Sequence, residues 1–322
     1  MDMAVFSVYS FPKKDRLVKN RALTSQQTKK RKQSWKRDGI ACLLLAPSLI
    51  FLTMFTLIPI VKSFYLSLMD LQLGMKKPIF IGLDNYTYLF SDPLFWKVMG
   101  NTVLFSLLTV IPSMVLGLAL ALLLNMRHKL TGLFRVSFFS PVVMPMIAVA
   151  SIWMFIYMPD AGLLDQLLKS FGLPGQIFLQ RSDTVLPALS VVYNWKEAGF
   201  LMIFFLSGLQ NISTEMYEAA RIDGARKFTI FWKLTFPLLM PTTIFVSTIA
   251  LTDSFKLVDH IAMMTEGMPN NSSTTLLYFI YQNGFTYFNQ GIASTLTVIL
   301  LIIMLIAASL QFFTADSRIH YN

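Results

Sequence analysis

Two pairs of ionisable side chains sit among neighbours that are almost entirely apolar. Lys196 and Glu197 are adjacent, and Asp253 and Lys256 stand three apart, the spacing of partners on one helix face. Charges inside long apolar segments face a bundle interior or a watery route, and they serve solutes or protons there. Asn194 and Trp195 directly precede the first pair, so an amide, an indole, an ammonium and a carboxylate fall together. Hydrogen-bonding groups beside an aromatic face suit a polar, hydroxylated solute, and Trp153, Tyr157 and Tyr193 could add stacking. The same charges are equally able to neutralise each other, so the residues leave internal pairing and solute contact both open.

Reactive constellations are absent from the sequence. His128, His260 and His320 lie on separate segments, where surface or loop positions are expected rather than catalytic ones. The single cysteine, Cys42, excludes an intrachain disulfide and a cysteine-based metal site. There is no H-E-x-x-H, no Ser-His-Asp candidate set and no G-x-x-x-x-G-K-[ST] phosphate loop. The chain is therefore expected to be no enzyme, with no catalytic residues, metal or cofactor. Any ATP-driven work it does must be powered in trans.

The elements that would position these groups are membrane helices. Hydrophobic residues make up 55% of the chain and charged ones 14%, well below the charged share of a soluble domain. Six apolar stretches are long enough to cross about 30 Å of hydrocarbon. They run from Ile40 to Val61, Val98 to Asn125, Ser137 to Met158, Val185 to Gln210, Pro237 to Val258 and Gly291 to Phe313. Pro47, Pro59, Pro112, Pro141 and Pro145 are read as tolerated kinks. The expected fold class is thus all-α, a polytopic membrane protein with six transmembrane helices.

The net charge of +10 could suggest nucleic acid, but eleven of the 27 Lys and Arg residues fall within the first 39 positions. A basic leader before a first span places the N-terminus in the cytoplasm, and six spans bring the C-terminus back to the same side. The connections 126–136 and 211–236 are then cytoplasmic, and both are basic. The expected division is a tail over 1–39, a membrane domain over 40–313 and a second cytoplasmic tail over 314–322. The leader reads as a solvated topology signal, with anionic lipid as an additional contact. No nucleic-acid partner is expected.

The connection between the fourth and fifth spans carries the most information. Ser213 or Thr214 can accept from free N–H groups of a starting helix, and Glu215 suits its positive end. Met216, Ala219, Ala220 and Ile222 form a small apolar face at helical spacing, and Gly224 can end the helix in the left-handed conformation. Phe228, Phe231 and Trp232 give a second short helix an aromatic face before Pro237 and Pro241. Two small alanines beside Glu218 and Arg221 let another surface approach closely, the pattern of a docking helix.

This string, Glu218-Ala219-Ala220-Arg221-Ile222-Asp223-Gly224, followed by Pro237 and Pro241, resembles the EAA loop of type I ABC importer permeases. Ile81-Gly-Leu-Asp-Asn-Tyr86, Asp92-Pro-Leu-Phe-Trp96 and Leu133-Phe-Arg135 are similar to segments of the carbohydrate branch of that family, which also includes glycerol 3-phosphate permeases. Glu266 and Met268 depart from the glycine run usual before Pro269. The resemblance implies that the loop docks on separate ATP-binding-cassette ATPase subunits. It also implies an extracytoplasmic solute-binding protein, a second related permease as pore partner, and a place in the bacterial inner membrane. An ion-coupled secondary transporter is the alternative, resting on Lys196, Glu197, Asp253 and Lys256.

Overall fold

The structure is a computed structural model that describes residues 42–75, 77–126 and 130–316, without the side chains of 312 and 314–316. The basic leader, His128 and His320 lie outside the described residues. The chain divides into two units, Met1–Lys62 and Ser63–Asn322. The described part of the first unit is helical and belongs to α1 (Cys42–Ser67), widened to a π turn at Thr53–Leu57. That turn lies just before Pro59, whose ring and missing N–H disturb the regular ladder.

The second unit is built around two long helices, α3 (Pro93–Leu124) and α7 (Val185–Gln210), packed along each other. Ahead of them lie a two-stranded ribbon, Met69–Asp70 against Ile79–Phe80, and α2 (Asp84–Ser91). The ribbon is a small departure from an all-α chain. Asp92 caps α3 by accepting from the Leu94 N–H at 2.8 Å, and Pro93 takes the first helical position, where its missing N–H costs nothing. The 32 residues of α3 span about 48 Å, more than a bilayer core requires. The most apolar window of α7 is 67% buried, against 28% for α3, which makes α7 the central helix of this unit. Gly117 of α3 allows the contact, because a Cβ there would lie 3.0 Å from the Leu201 Cβ and 3.2 Å from the Ala198 oxygen.

Two of the six expected spans are broken. The third consists of α4 (Thr131–Val143) and α5 (Met146–Ile156), bent by 100° between them. Met144 is extended, at ψ 135°, because the ring of Pro145 disfavours the helical region for the residue before it. The eleven residues of α5 cover only about 16 Å and cannot cross a bilayer alone. The fifth consists of α9 (Lys227–Leu238) and α10 (Met240–Ser254), bent by 67° around Leu239, between Pro237 and Pro241. The last span is one unbroken helix, α13 (Gln290–Asp316).

Between α5 and α7 lies a short amphipathic helix, α6 (Leu163–Ser170), held by a buried carboxylate. Asp165 accepts from the backbone N–H of Asp160 at 3.0 Å and of Gln176 at 2.8 Å, and pairs with Lys169 at 2.9 Å. The Lys169 ammonium and those N–H groups hold the Asp165 carboxyl below the usual carboxylate range. The clamp is therefore complete above that range and is lost as pH falls through the lowered value. Asp165→Asn should open it at neutral pH. Limited trypsinolysis after Lys169 is expected to rise several-fold in that variant, and unchanged cleavage would refute the clamp.

After α10 come α11 (Asp259–Met264), an irregular loop, and α12 (Leu276–Tyr281). Glu266, Asn270 and Asn271 take positive φ, and the loop is tied back to α3. Lys97 donates to the Asn270 carbonyl at 2.6 Å, and Asn101 donates to the carbonyls of Asn271 and Thr274. His260 is not at the surface, as its position in a connection suggested. It is fully buried against the Phe105 ring, and burial lowers its imidazole to about 4, so it is neutral at physiological pH.

Candidate functional site: an exposed helix and the polar groups of α7

The connection after α7 folds as two short helices around a glycine. Helix α8 (Thr214–Ile222) begins at Ser213, whose backbone is extended as an N-cap requires. Its hydroxyl makes no capping bond, so the expected side-chain cap is not formed. Glu215 still stands in the first turn and Arg221 in the last, each at the favourable end of the helix dipole. The helix ends in a Schellman motif. The Ala225 N–H donates to the Ala220 carbonyl and the Gly224 N–H to the Arg221 carbonyl, both at 3.0 Å, with Gly224 at φ 76°.

No residue of α8 is buried. Ile222 is 86% exposed, and Glu218, Ala219, Arg221 and Asp223 are exposed beside it. Among the described residues, neither Glu218 nor Arg221 has an ion-pair partner. The helix is fixed from behind instead, where Thr235 donates to the Tyr217 hydroxyl at 3.3 Å. Behind it lies a cavity of about 530 Å³ reached by Asn125, Tyr217, Glu218, Arg221 and Lys227. Phe231, Trp232 and Phe236 meet edge-on and tilted where α9 widens to a π turn, and Pro237 follows just before the Leu239 bend.

The polar groups of α7 point to different neighbours. Asn194 donates to the Leu108 carbonyl of α3 at 2.9 Å. That carbonyl would have bonded to residue 112, where Pro112 has no N–H, so Asn194 restores the bond the proline removes. Lys196 is 8% exposed and donates to the Val142 carbonyl of α4 at 3.2 Å and to Glu197 at 3.0 Å. Three residues on, Gly199 lies against the Phe138 carbonyl, only 1.9 Å from where a Cβ would stand. Trp195 turns the other way, edge-on to Trp153 of α5, and is 43% exposed. Asp253 and Lys256 face each other at 3.5 Å, both substantially open. Tyr193 is buried on α7, which also packs against α10.

The six polar residues singled out in the sequence therefore do not form one pocket. Asn194 and Lys196 are turned into the bundle, onto carbonyls of other spans. Glu197, Asp253 and Lys256 remain accessible, and Trp195 lies on another face. Gly199 and the carbonyls of Leu108, Phe138 and Val142 were not foreseen. The sequence signals were Pro112, whose missing N–H strands the Leu108 carbonyl, and Pro145, whose ring breaks the helix that would have offered Val142 the Met146 N–H.

A short exposed helix between long membrane helices is what a transport subunit driven from outside would need. Residues 113–317 match the family described as binding-protein-dependent transport system inner membrane component. The chain belongs to this family. It is a permease, and a multi-pass membrane protein. It is 34% identical over 262 residues to the sulfoquinovosyl glycerol transport system permease protein SmoG of Agrobacterium fabrum, covering 81% of this chain and 85% of that one. The sn-glycerol-3-phosphate permease UgpA of the same organism is 32% identical over 87% of this permease and 96% of its own length. The lactose permease LacF of Rhizobium radiobacter is 32% identical over 86% and 94%. In fold, the permease matches a chain of a bacterial ABC transporter that imports the acidic polysaccharide alginate. The TM-score is 0.77, at 22% identity over 89% of this chain and 99% of that one. These matches set aside an ion-coupled secondary transporter.

Proposed function

We propose that this permease forms half of the translocation pathway for a carbohydrate-type solute (a sugar, an oligosaccharide or glycerol 3-phosphate). In this reading an extracytoplasmic binding protein delivers the solute, a second related permease supplies the other half, and separate ABC ATPase subunits provide the energy. The observation that carries it is α8, an exposed helix with Ile222 at 86% exposure and with Glu218 and Arg221, unpaired among the described residues, beside two alanines. An uncovered isoleucine and two uncommitted charges on one short helix fit a cleft on a partner. The docking surface comprises Glu218, Ala219, Ala220, Arg221, Asp223 and Gly224, with Pro237 at the bend that would receive the motion.

The relatives support the solute class, since their names give sulfoquinovosyl glycerol, glycerol 3-phosphate and lactose. The solute-facing groups we propose are Glu197, Asp253 and Lys256, with Asn194 and Lys196 supporting them from within and Trp195 set apart against Trp153 of α5. The excess of Lys and Arg in the leader and in the connections 126–136 and 211–236 supports cytoplasmic termini and a place in the bacterial inner membrane. Reconstitution with co-purifying subunits tests the reading. ATP hydrolysis stimulated by one loaded binding protein is the expected result. Uptake that survives ATP depletion yet collapses with an ionophore would overturn it.

A further inference from the structure

Helix α7 joins the docking helix to the broken third span. It runs without interruption to Gln210 and reaches α8 after only Asn211 to Ser213, so a displacement of α8 is delivered to α7. One helical turn of α7 then grips α4 twice. Gly199 lies directly against the Phe138 carbonyl, and Lys196 donates to the Val142 carbonyl at 3.2 Å. Val142 stands at the end of α4, where a continuous helix would have offered it the Met146 N–H. The 100° elbow at Met144 and Pro145 takes that donor away. A helix carbonyl left without its N–H partner inside a packed bundle needs a replacement donor. Lys196 supplies it while 8% exposed, with Glu197 at 3.0 Å as its ion-pair partner.

We propose that Lys196 is a positioning residue of the transport cycle: its ammonium fastens the elbow of the third span to α7, so that the elbow moves with the docking helix. Its chemistry is spent on backbone and on Glu197, so the role is independent of the solute carried. The transmission step rests on the docking reading of α8, while the fastening itself does not.

The full-length permease, with Cys42 replaced by serine and assembled with its co-purifying subunits in nanodiscs, provides the test. Spin labels at Ile152→Cys on α5 and Val191→Cys on α7, both exposed positions, report the elbow. The parent is expected to give one narrow distance distribution without nucleotide, and K196M a broad or double one. K196R, which retains a cationic donor, should restore the narrow form. The KM for ATP should stay unchanged in K196M. Stimulation of hydrolysis by the co-purifying binding protein should fall about tenfold, the scale of one lost charge-assisted hydrogen bond. A K196M distribution that superimposes on the parent's overturns the proposal. Should K196M not assemble, the isosteric E197Q carries the test, and its failure to broaden the same distribution is equally fatal. The elbow distance is read without nucleotide, so its outcome is separate from that of the docking variants.

Discussion

Gly199→Ala is expected to destabilise the permease more than any other single methyl group added to its helices. The new Cβ would stand 1.9 Å from the Phe138 carbonyl oxygen and 2.8 Å from its carbon, and both atoms are backbone. No side chain can rotate away to relieve the clash, so α4 and α7 must separate. Overpacking of this kind costs about 1–3 kcal/mol and sometimes more. Separation also draws the Val142 carbonyl away from Lys196, so the steric cost and the lost polar contact fall together. Gly100→Ala in α3 is the control, because nothing lies within 4 Å of its Cβ. There the helix gains about 0.4–1 kcal/mol from the stiffer residue. Thermal unfolding in detergent, followed by size-exclusion chromatography, should place Gly199→Ala well below the parent and Gly100→Ala at or above it. Equal midpoints for the two variants would show that α4 and α7 are not in this contact.

The contrast between Pro112 and Pro145 explains what the sequence could and could not reveal. Both stand inside apolar runs long enough to span a bilayer, and both were read as tolerated kinks. Pro112 leaves α3 as one helix, with Asn194 of α7 satisfying the carbonyl it strands. Pro145 ends α4, and the carbonyl stranded there goes to Lys196. Which outcome follows depends on side chains 86 and 54 residues from the carbonyls they satisfy, separations set by how the spans pack. The two-helix fold of the connection after α7 was legible because its signals are local. Glu215, the small face of α8, Gly224 and the two prolines each act within a turn or two of their own position. Local signals failed at Ser213, which takes cap geometry without its hydroxyl bond, and at His260, buried by the return of α11 against Phe105.

Gly224→Pro is expected to abolish transport while leaving membrane insertion intact. Gly224 sits at φ 76°, and a proline ring holds φ near −65°, so the chain could not reverse after α8 as it now does. The Gly224 N–H that closes onto the Arg221 carbonyl would also be gone, and the Ala225 to Ala220 bond of the same motif would open with it. The residues turned aside are Glu218, Ala219, Ala220 and Arg221, which make the proposed docking face. Nothing lies within 4 Å of a Cβ at Gly224, so the change strains the backbone without disturbing a packed core. Gly224→Ala is therefore the graded companion, strained only by its positive φ, by about 1–2 kcal/mol. Glu218→Lys attacks the same face through charge and leaves the fold alone. The expected series has membrane levels near the parent's for all three variants. ATPase subunits should be lost from pull-downs with Gly224→Pro and Glu218→Lys, and partly retained with Gly224→Ala. Normal ATPase retention and normal uptake by Gly224→Pro would remove α8 as the docking element. The motion would then have to enter through some other part of the chain.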